Sequence, residues 1–508
     1  MITTETIKTT CPYCGVGCGV DAKMQQGNLI AVSGSTEHPA NQGRLCVKGS
    51  ALDETVSHHG RMLSPKIEGQ RVDWDTAYSH VANKLSAIIE KHGPDAVAMY
   101  VSGQILTEDY YVANKLMKGF IGTANIDTNS RLCMSSAVAA HKRAFGTDTV
   151  AGCYEDLELA DLVVLTGSNL AWAHPIVYQR LAKAKAARPA MKIVVIDPRK
   201  TASCDIADLH LPLKPGSDGF LFNGLAHHLI ANQKLDHGFI DQHCEGFAAL
   251  SESVQQQNLA QTAMDCDLTE AALNTLYQWF ADYERSVTLF SQGINQSSSG
   301  VDKGNAIINC HLISGKIGKP GASPFSITGQ PNAMGGREVG GLANQLAAHM
   351  ELKNPDSLDK VKRFWNAPNL ARRAGLKAVD MFDAVAGGQI KAIWIIATNP
   401  VVSMPDADKI KQALAHCDLV IVSDSSDSTD TLQFANVCLP ATTWGEKEGT
   451  VTNSERRISR QRGFFSAPGE ARHDWQIISE VAQRMGFKDA FNYRCSADVF
   501  REHAALSG

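Results

Sequence analysis

The stretch CPYCGVGCGV, residues 11–20, sets three thiols, Cys11, Cys14 and Cys18, on one short loop, and GRLCVKG, residues 43–49, adds Cys46 from farther along the chain. Gly15, Gly17 and Gly19 let that loop wrap a bulky centre without Cβ clashes. Three chemistries use four cysteines in this way: an iron-sulfur cube, a zinc ion and a pair of disulfides. Zinc sites favour two short Cys-x(2–4)-Cys knuckles, whereas three thiols on one loop and a remote fourth is a common way to ligate a [4Fe-4S] cluster. Disulfides fit poorly with a reducing compartment. The spacing favours the cluster, with zinc as its rival.

Outward from that loop, residues 1 to about 60 read as a small metal-organised lobe. Trp74 to His92 carries apolar positions at helical spacing and stops at Gly93-Pro94, and Ala96 to Val101 reads as a strand. Segment 107–145 is helical at its ends and broken by DTNS, so a loop is expected to project Cys133 from TNSRLCMSS. DLVVLTGSN, a helix through Tyr178 to Ala187, KIVVIDPRK and ADLHLPLKPGSD then alternate strand with helix. This is the rhythm of a parallel α/β sheet with ligand loops at the carboxyl ends of its strands. AIWIIATNP, DLVIVSDSSDS and ANVCLPATTWGEKEGTVTNSERR start a second round, and the Gly-rich TGQPNAMGGREVGG, residues 328–341, lies between the two.

The chain has 508 residues, which the usual core sizes divide into about three or four domains. Its 48 basic and 53 acidic side chains give a net charge of −5, with no polybasic arm, so nothing calls for nucleic acid or an anionic membrane surface. MITTETIKTT holds no basic or apolar targeting pattern, and apolar runs such as LVVL and IWII are strand-sized. The expectation is a cytoplasmic, soluble protein. Of the 13 cysteines, the eight outside the cluster and Cys133 are read as buried thiols.

Gly167, Ser168 and Asn169 end a strand where main-chain N–H groups and a hydroxyl can meet a phosphate, although many βα loops carry Gly-Ser for turn reasons alone. Asp197 and Arg199 in IVVIDPR suit a ribose or purine, or a plain turn before Pro198. No GxGxxG is present, so an ordinary NAD fingerprint is lacking. A lone Cys such as Cys133 is most often core; its polar flanks and Arg131, which would favour a thiolate, make a ligand or nucleophile equally credible. His174 and His311 have no partner at ligand spacing and read as structural.

With these features together, the chain resembles the molybdopterin oxidoreductase family, whose members carry molybdenum on two molybdopterin guanine dinucleotides. The resemblance runs over essentially the whole chain, and GFIGTANIDTNSRLCMSSAV and TGQPNAMGGREVGG are similar to the nitrate-reducing, assimilatory branch. It implies an α/β fold: a [4Fe-4S] lobe at 1–60, a first α/β domain at 131–319, a discontinuous second one at 61–130 and 320–436, and a return segment at 437–508. A C-terminal barrel-like domain that covers the pterins in relatives is expected to be absent from this chain.

By the same resemblance Cys133 ligates molybdenum, with Gln104 and Asn129 around the metal and pterins and Gln296 on a pterin. Gly167, Ser168, Asn169, Asp197, Arg199, Ser217 and Asp218 would hold one guanine dinucleotide, and Asn399, Ser423, Asp424, Lys447 and Asp474 the other. Lys48 would bridge cluster and pterin, and Arg337 of GREVG would hold nitrate. Met134 stands where formate dehydrogenases place a His, so reduction of nitrate to nitrite is favoured over formate oxidation or an inactive electron-transfer scaffold. Electrons would come from a partner protein, a ferredoxin or an NAD(P)H-dependent reductase subunit.

Overall fold

The computed structural model describes residues 4–508. Its N-terminal lobe is an antiparallel meander of β1 (Thr4–Thr10), β2 (Gly19–Gln25) and β3 (Asn28–Gly34). Gln26 and Gly27 both adopt positive φ in the β2–β3 turn, the conformation that matches the twist of a two-residue hairpin. The register pairs Thr10 with Gly19, so Cys11 and Cys18 leave the two strands side by side, and the Cys11 N–H donates to the Cys18 carbonyl at 2.9 Å. The metal loop is thus the tip of a hairpin.

Next come β4 (Lys66–Ile67), β5 (Gln70–Arg71), β6 (Val97–Val101) and β7 (Ile126–Thr128). The chain then builds a separate sheet from β8 (Leu162–Thr166), β9 (Lys192–Ile196), β10 (Leu209–Leu211), β11 (Ser286–Phe290) and β12 (Ser323–Ser326). It returns with β13 (Ala392–Ile396), β14 (Leu419–Asp424) and β15 (Val437–Pro440). The five-stranded sheet runs β10-β9-β8-β11-β12, all parallel. The seven-stranded one runs β5-β4-β15-β14-β13-β6-β7 and is parallel from β15 to β7. Helices cover both faces, so central strands such as β8 are buried at every residue and read as unbroken apolar runs.

In both sheets the strand order reverses once, between β8 and β11 and between β13 and β6. Loops part at such reversals and leave a crevice at the carboxyl ends. A short hairpin of β16 (Gly449–Thr452) and β17 (Ile458–Gln461) runs back to the lobe, where Thr9 Oγ1 donates to the Arg462 carbonyl at 3.0 Å.

The helix at Trp74–His92 spans the expected residues: Asp73 caps it by accepting from the Thr76 N–H at 2.7 Å, and Gly93, at φ 84°, ends it. Two boundaries move. Strand β12 lies beyond residue 319 yet pairs with β11, and β15 lies beyond 436 yet pairs with β14, because each completes a parallel ladder. The loop expected to project Cys133 is instead the start of a helix, Arg131–Phe145, that places the thiol in its first turn. Of the eight remaining cysteines Cys204, Cys266 and Cys310 are buried, four are half-buried and Cys495 is exposed.

Candidate active site

The metal loop is glycine-rich because its surroundings leave no room for side chains. A Cβ on Gly15 would lie 2.2 Å from the Thr328 carbonyl oxygen, and one on Gly17, at φ 66°, 2.6 Å from Asn453 Cβ. Gly15 N–H donates to the Gly329 carbonyl at 2.8 Å, and the Gly15 carbonyl accepts from Ser454 N–H at 2.8 Å. Loop 11–18, the Gly-rich loop and the β16–β17 hairpin therefore lock together.

Inside this cradle burial pushes the Cys11 thiol up to about 12 and raises those of Cys14 and Cys18, and the three lie close enough to Cys46 for its charge to add to the effect. Thiols held protonated by burial ionise there only beside a cationic centre, which a metal cluster supplies. Three thiols on one loop with a fourth from farther along the chain is a ligand pattern that suits a [4Fe-4S] cube, which takes one thiolate per iron. Lys48 is exposed on the short turn Val47–Ser50 that follows Cys46, near enough for its charge to favour ionisation of Cys11 and Cys14.

Pro12 and Tyr13 of the loop form one wall of a cleft of about 300 Å³ whose other walls include carboxyl-end loops of the seven-stranded sheet, Leu52 and Thr55 after the lobe's strands, and Asp474 at the start of a helix. Four of the expected site residues, Gln104, Asp424, Lys447 and Asp474, line it. Lys447 Nζ lies 3.2 Å from Asp474 Oδ2 and 3.6 Å from Asp109 Oδ2. Burial raises the Asp474 carboxyl to about 6 despite Lys447, with Asp109 pushing the same way. Asp474 Oδ1 is buried with no partner, an acceptor aimed at something the protein itself does not provide.

Asn129 sits at the same sheet edge, accepting from the Gly103 N–H and Gln330 Nε2, both at 2.8 Å, and donating to Thr398 Oγ1 at 3.1 Å. Asn399 bonds Thr431 and Asp430 in the neighbouring loop, and Ser423 Oγ accepts from the Trp394 indole, which turns it into the sheet.

At the reversal of the five-stranded sheet, Gly167 (φ 56°) and Gly293 touch backbone to backbone; a Cβ on Gly167 would meet Gly293 Cα at 2.8 Å. Thr166 Oγ1 and Ser168 Oγ are buried there without partners, and Asn169 accepts from Ser203. Two orphaned hydroxyls beside a close backbone approach suit a phosphate-bearing ligand. Asp197 is half-buried in a turn that takes the Arg199 N–H at 2.9 Å, with the Arg199 side chain exposed. Ser217 and Asp218 start helix Asp218–Ala231, where Asp218 pairs with the buried Lys303 at 2.9 Å.

Cys133 faces the Gly-rich loop, and Gln296 Nε2 donates to the Leu132 carbonyl next to it at 2.9 Å. Met134, next to Cys133, is buried in the core of the five-stranded sheet with Ala137 and Leu162, and Cys133 packs partly against the same cluster. Two expectations fail here. Arg131 is held by Asp127, Nε to Oδ2 at 2.9 Å, so its charge does not serve the thiol. Arg337 is buried, its Nε 2.7 Å from Asp148 Oδ2, its Nη2 on Asp148 Oδ1 and its Nη1 on the Met334 sulfur, which leaves the guanidinium committed inside the protein rather than to a substrate.

Several residues were not legible in the sequence. Gln292 Nε2 donates to Cys133 Sγ at 3.2 Å, Tyr154 Oη donates to the Gly15 carbonyl at 3.1 Å, and the buried Glu108 accepts from Thr450 N–H at 2.9 Å. These three bonds join residues 159, 139 and 342 positions apart. His174 and His311 are structural: both are buried, with Nε2 of His174 on the Thr328 carbonyl and His311 between the Lys316 carbonyl and Thr288.

A thiol cradle beside a cleft at the strand ends suits an iron-sulfur protein with a further bound cofactor. The model of the molybdopterin oxidoreductase family matches residues 61–484 and that of the molybdopterin oxidoreductase Fe4S4 domain residues 4–58; the chain belongs to this family. Its cofactors are accordingly a [4Fe-4S] cluster and molybdenum on molybdopterin. The chain is 57% identical over 505 residues to a nitrate reductase of Klebsiella oxytoca and 51% identical to one of Shewanella frigidimarina, each match taking in 99% of this chain. It spans 58% and 54% of the lengths of those two proteins. The fold superposes on acetylene hydratase from Pelobacter acetylenicus with a TM-score of 0.82 at 21% identity, covering 99% of this chain and 72% of the other.

Proposed function

We propose that this protein reduces nitrate to nitrite in nitrate assimilation, at molybdenum held by two molybdopterin guanine dinucleotides and supplied with electrons through the [4Fe-4S] cluster. The observation that carries the reading is the placement of the cleft, with the metal loop as one wall and Lys447 and Asp474 as another. The likeness to nitrate reductases supports the choice of substrate.

Bound molybdenum supplies two-electron oxygen-atom chemistry. The protein's part is to hold, orient and insulate. Cys133 is the metal's thiolate. Asp474 Oδ1 and Lys447 take polar groups of one dinucleotide, with Gln104, Asn129, Asn399, Ser423 and Asp424 around it. Thr166 and Ser168 hydroxyls, Gly167 to Asn169, Asp197, Arg199, Ser217 and Asp218 serve the other, and Gln296 sets the pterin near Cys133. Lys48 lies on the path between cluster and pterin.

An electron-donor protein, a ferredoxin or an NAD(P)H-dependent reductase subunit, docks from the cytoplasm. Among the described residues no helix is long and apolar enough to cross a membrane. The test is nitrite production by the full-length protein with reduced viologen, beside formate oxidation and metal analysis. Nitrite formation without formate oxidation is expected; robust formate oxidation, or iron without molybdenum, rejects the reading.

A further inference from the structure

Strand β11 ends at Phe290, and the next residues, Ser291 and Gln292, open a short helical turn, Gln292–Asn295, pressed against Gly167. The turn aims the Gln292 amide at Cys133: Nε2 lies 3.2 Å from Sγ. At its other end Oε1 accepts from the buried Ser291 hydroxyl, which leaves the N–H side toward the sulfur. The Gly-rich loop closes on the same sulfur, where a Cβ on Gly329 would lie 3.7 Å from Cys133 Sγ. Gly329 is the residue this requires, since a Cβ there would lie 2.8 Å from Gln292 Nε2 and push the amide away. One sulfur therefore faces the Gln292 amide on one element and the Gly-rich loop on another, and an apolar side chain at position 292 would fill the space without donating.

The geometry points to Gln292 as a positioning residue that tunes the molybdenum centre through the Cys133 sulfur. A hydrogen bond to a metal-bound thiolate draws charge off the sulfur, so less reaches the metal and the reduced centre is favoured. The role rests on Cys133 as the molybdenum ligand. Cys133→Ser is therefore run beside the Gln292 variants; molybdenum bound as in wild type would sink the ligand assignment itself rather than the tuning.

The experiment uses the full-length enzyme and two near-isosteric changes, Gln292→Met, which removes the donor, and Gln292→Glu, which replaces it with a carboxylate. The readouts are molybdenum content, the midpoint potential and line shape of the molybdenum EPR signal, and the potential of the iron-sulfur cluster as internal control. In Gln292→Met the reduction equilibrium should shift three- to ten-fold toward the oxidised centre, up to about 59 mV for a one-electron couple. The cluster potential should stay put. Gln292→Glu should shift it in the same direction and further. Full molybdenum loading with wild-type potential and spectrum in both variants overturns the inference. So does loss of molybdenum from both variants with the cluster retained, which would make Gln292 a structural support.

Discussion

At the scale of single residues the site is built from groups whose protonation burial has moved. Glu108 shows it most plainly. Desolvation raises its carboxyl to about 8 against the pull of the Thr450 N–H. Its value in the fold lies above the roughly 4.3 of an unfolded chain, so the stability it contributes is complete below that value and drains away as pH climbs through 8. Glu108→Gln should flatten the urea-stability profile across that window, removing a slope of up to about 1.4 kcal/mol per pH unit. Parallel profiles for variant and wild type would mean that Glu108 is ionised throughout.

Asp148 has the opposite sign. Burial opposes its charge, but Arg337 and His141 outweigh it and hold the carboxyl well below the usual range. Its contribution is present above the unfolded value of about 3.9 and is lost as pH falls through the folded one. Arg337→Ala strands that carboxylate and should cost about 3–5 kcal/mol, read from the shift in urea midpoint at pH 7. Cys14→Ser should empty the cradle of iron and acid-labile sulfide, since a hydroxyl is a poor substitute for a thiolate on iron. One zinc per chain and no sulfide in wild-type protein would overturn the cluster.

At the scale of elements, the two parallel sheets were legible because buried strands write themselves as apolar runs, and the metal loop because ligand spacing is local. Cys133 was legible as a residue but not as the first turn of a helix, since DTNS reads as a turn while the helix it precedes is held by packing. Arg337 was assigned to nitrate by the resemblance of its GREVG loop, and its partner Asp148 lies 189 positions away, where local sequence gives no sign of it. Gln292 carries no local signal, because its meaning comes only from the meeting of β11 with the helix of Cys133. The reversal point of the five-stranded sheet gives an element-scale test. Gly167→Ala forces a side chain into φ 56° and against Gly293, at a cost of about 1–3 kcal/mol. It should also lower the guanine nucleotide released on denaturation; unchanged nucleotide would move the dinucleotide away from that loop.

At the scale of the whole molecule, the metal loop ties the lobe, the Gly-rich loop and the β16–β17 hairpin into one unit through Gly15. Emptying the cradle should therefore be felt at a distance. In Cys14→Ser, amide hydrogen exchange should quicken around residues 11–19, 328–330 and 453–455 while β8 and β11 keep their protection. Faster exchange confined to 11–19 would show that the three pieces hold without the cluster.

Gly15 and Ser454, bonded at 2.8 Å, stand 439 positions apart. On the ribosome the first cysteines emerge early, whereas the residues that roof them follow only after roughly 20 to 90 s at about 5–20 residues per second. For that interval four thiols hang in the open, free to be oxidised or to capture the wrong metal. A nascent polypeptide halted before Ser454 carries a metal loop without the partner that locks Gly15 in the finished fold.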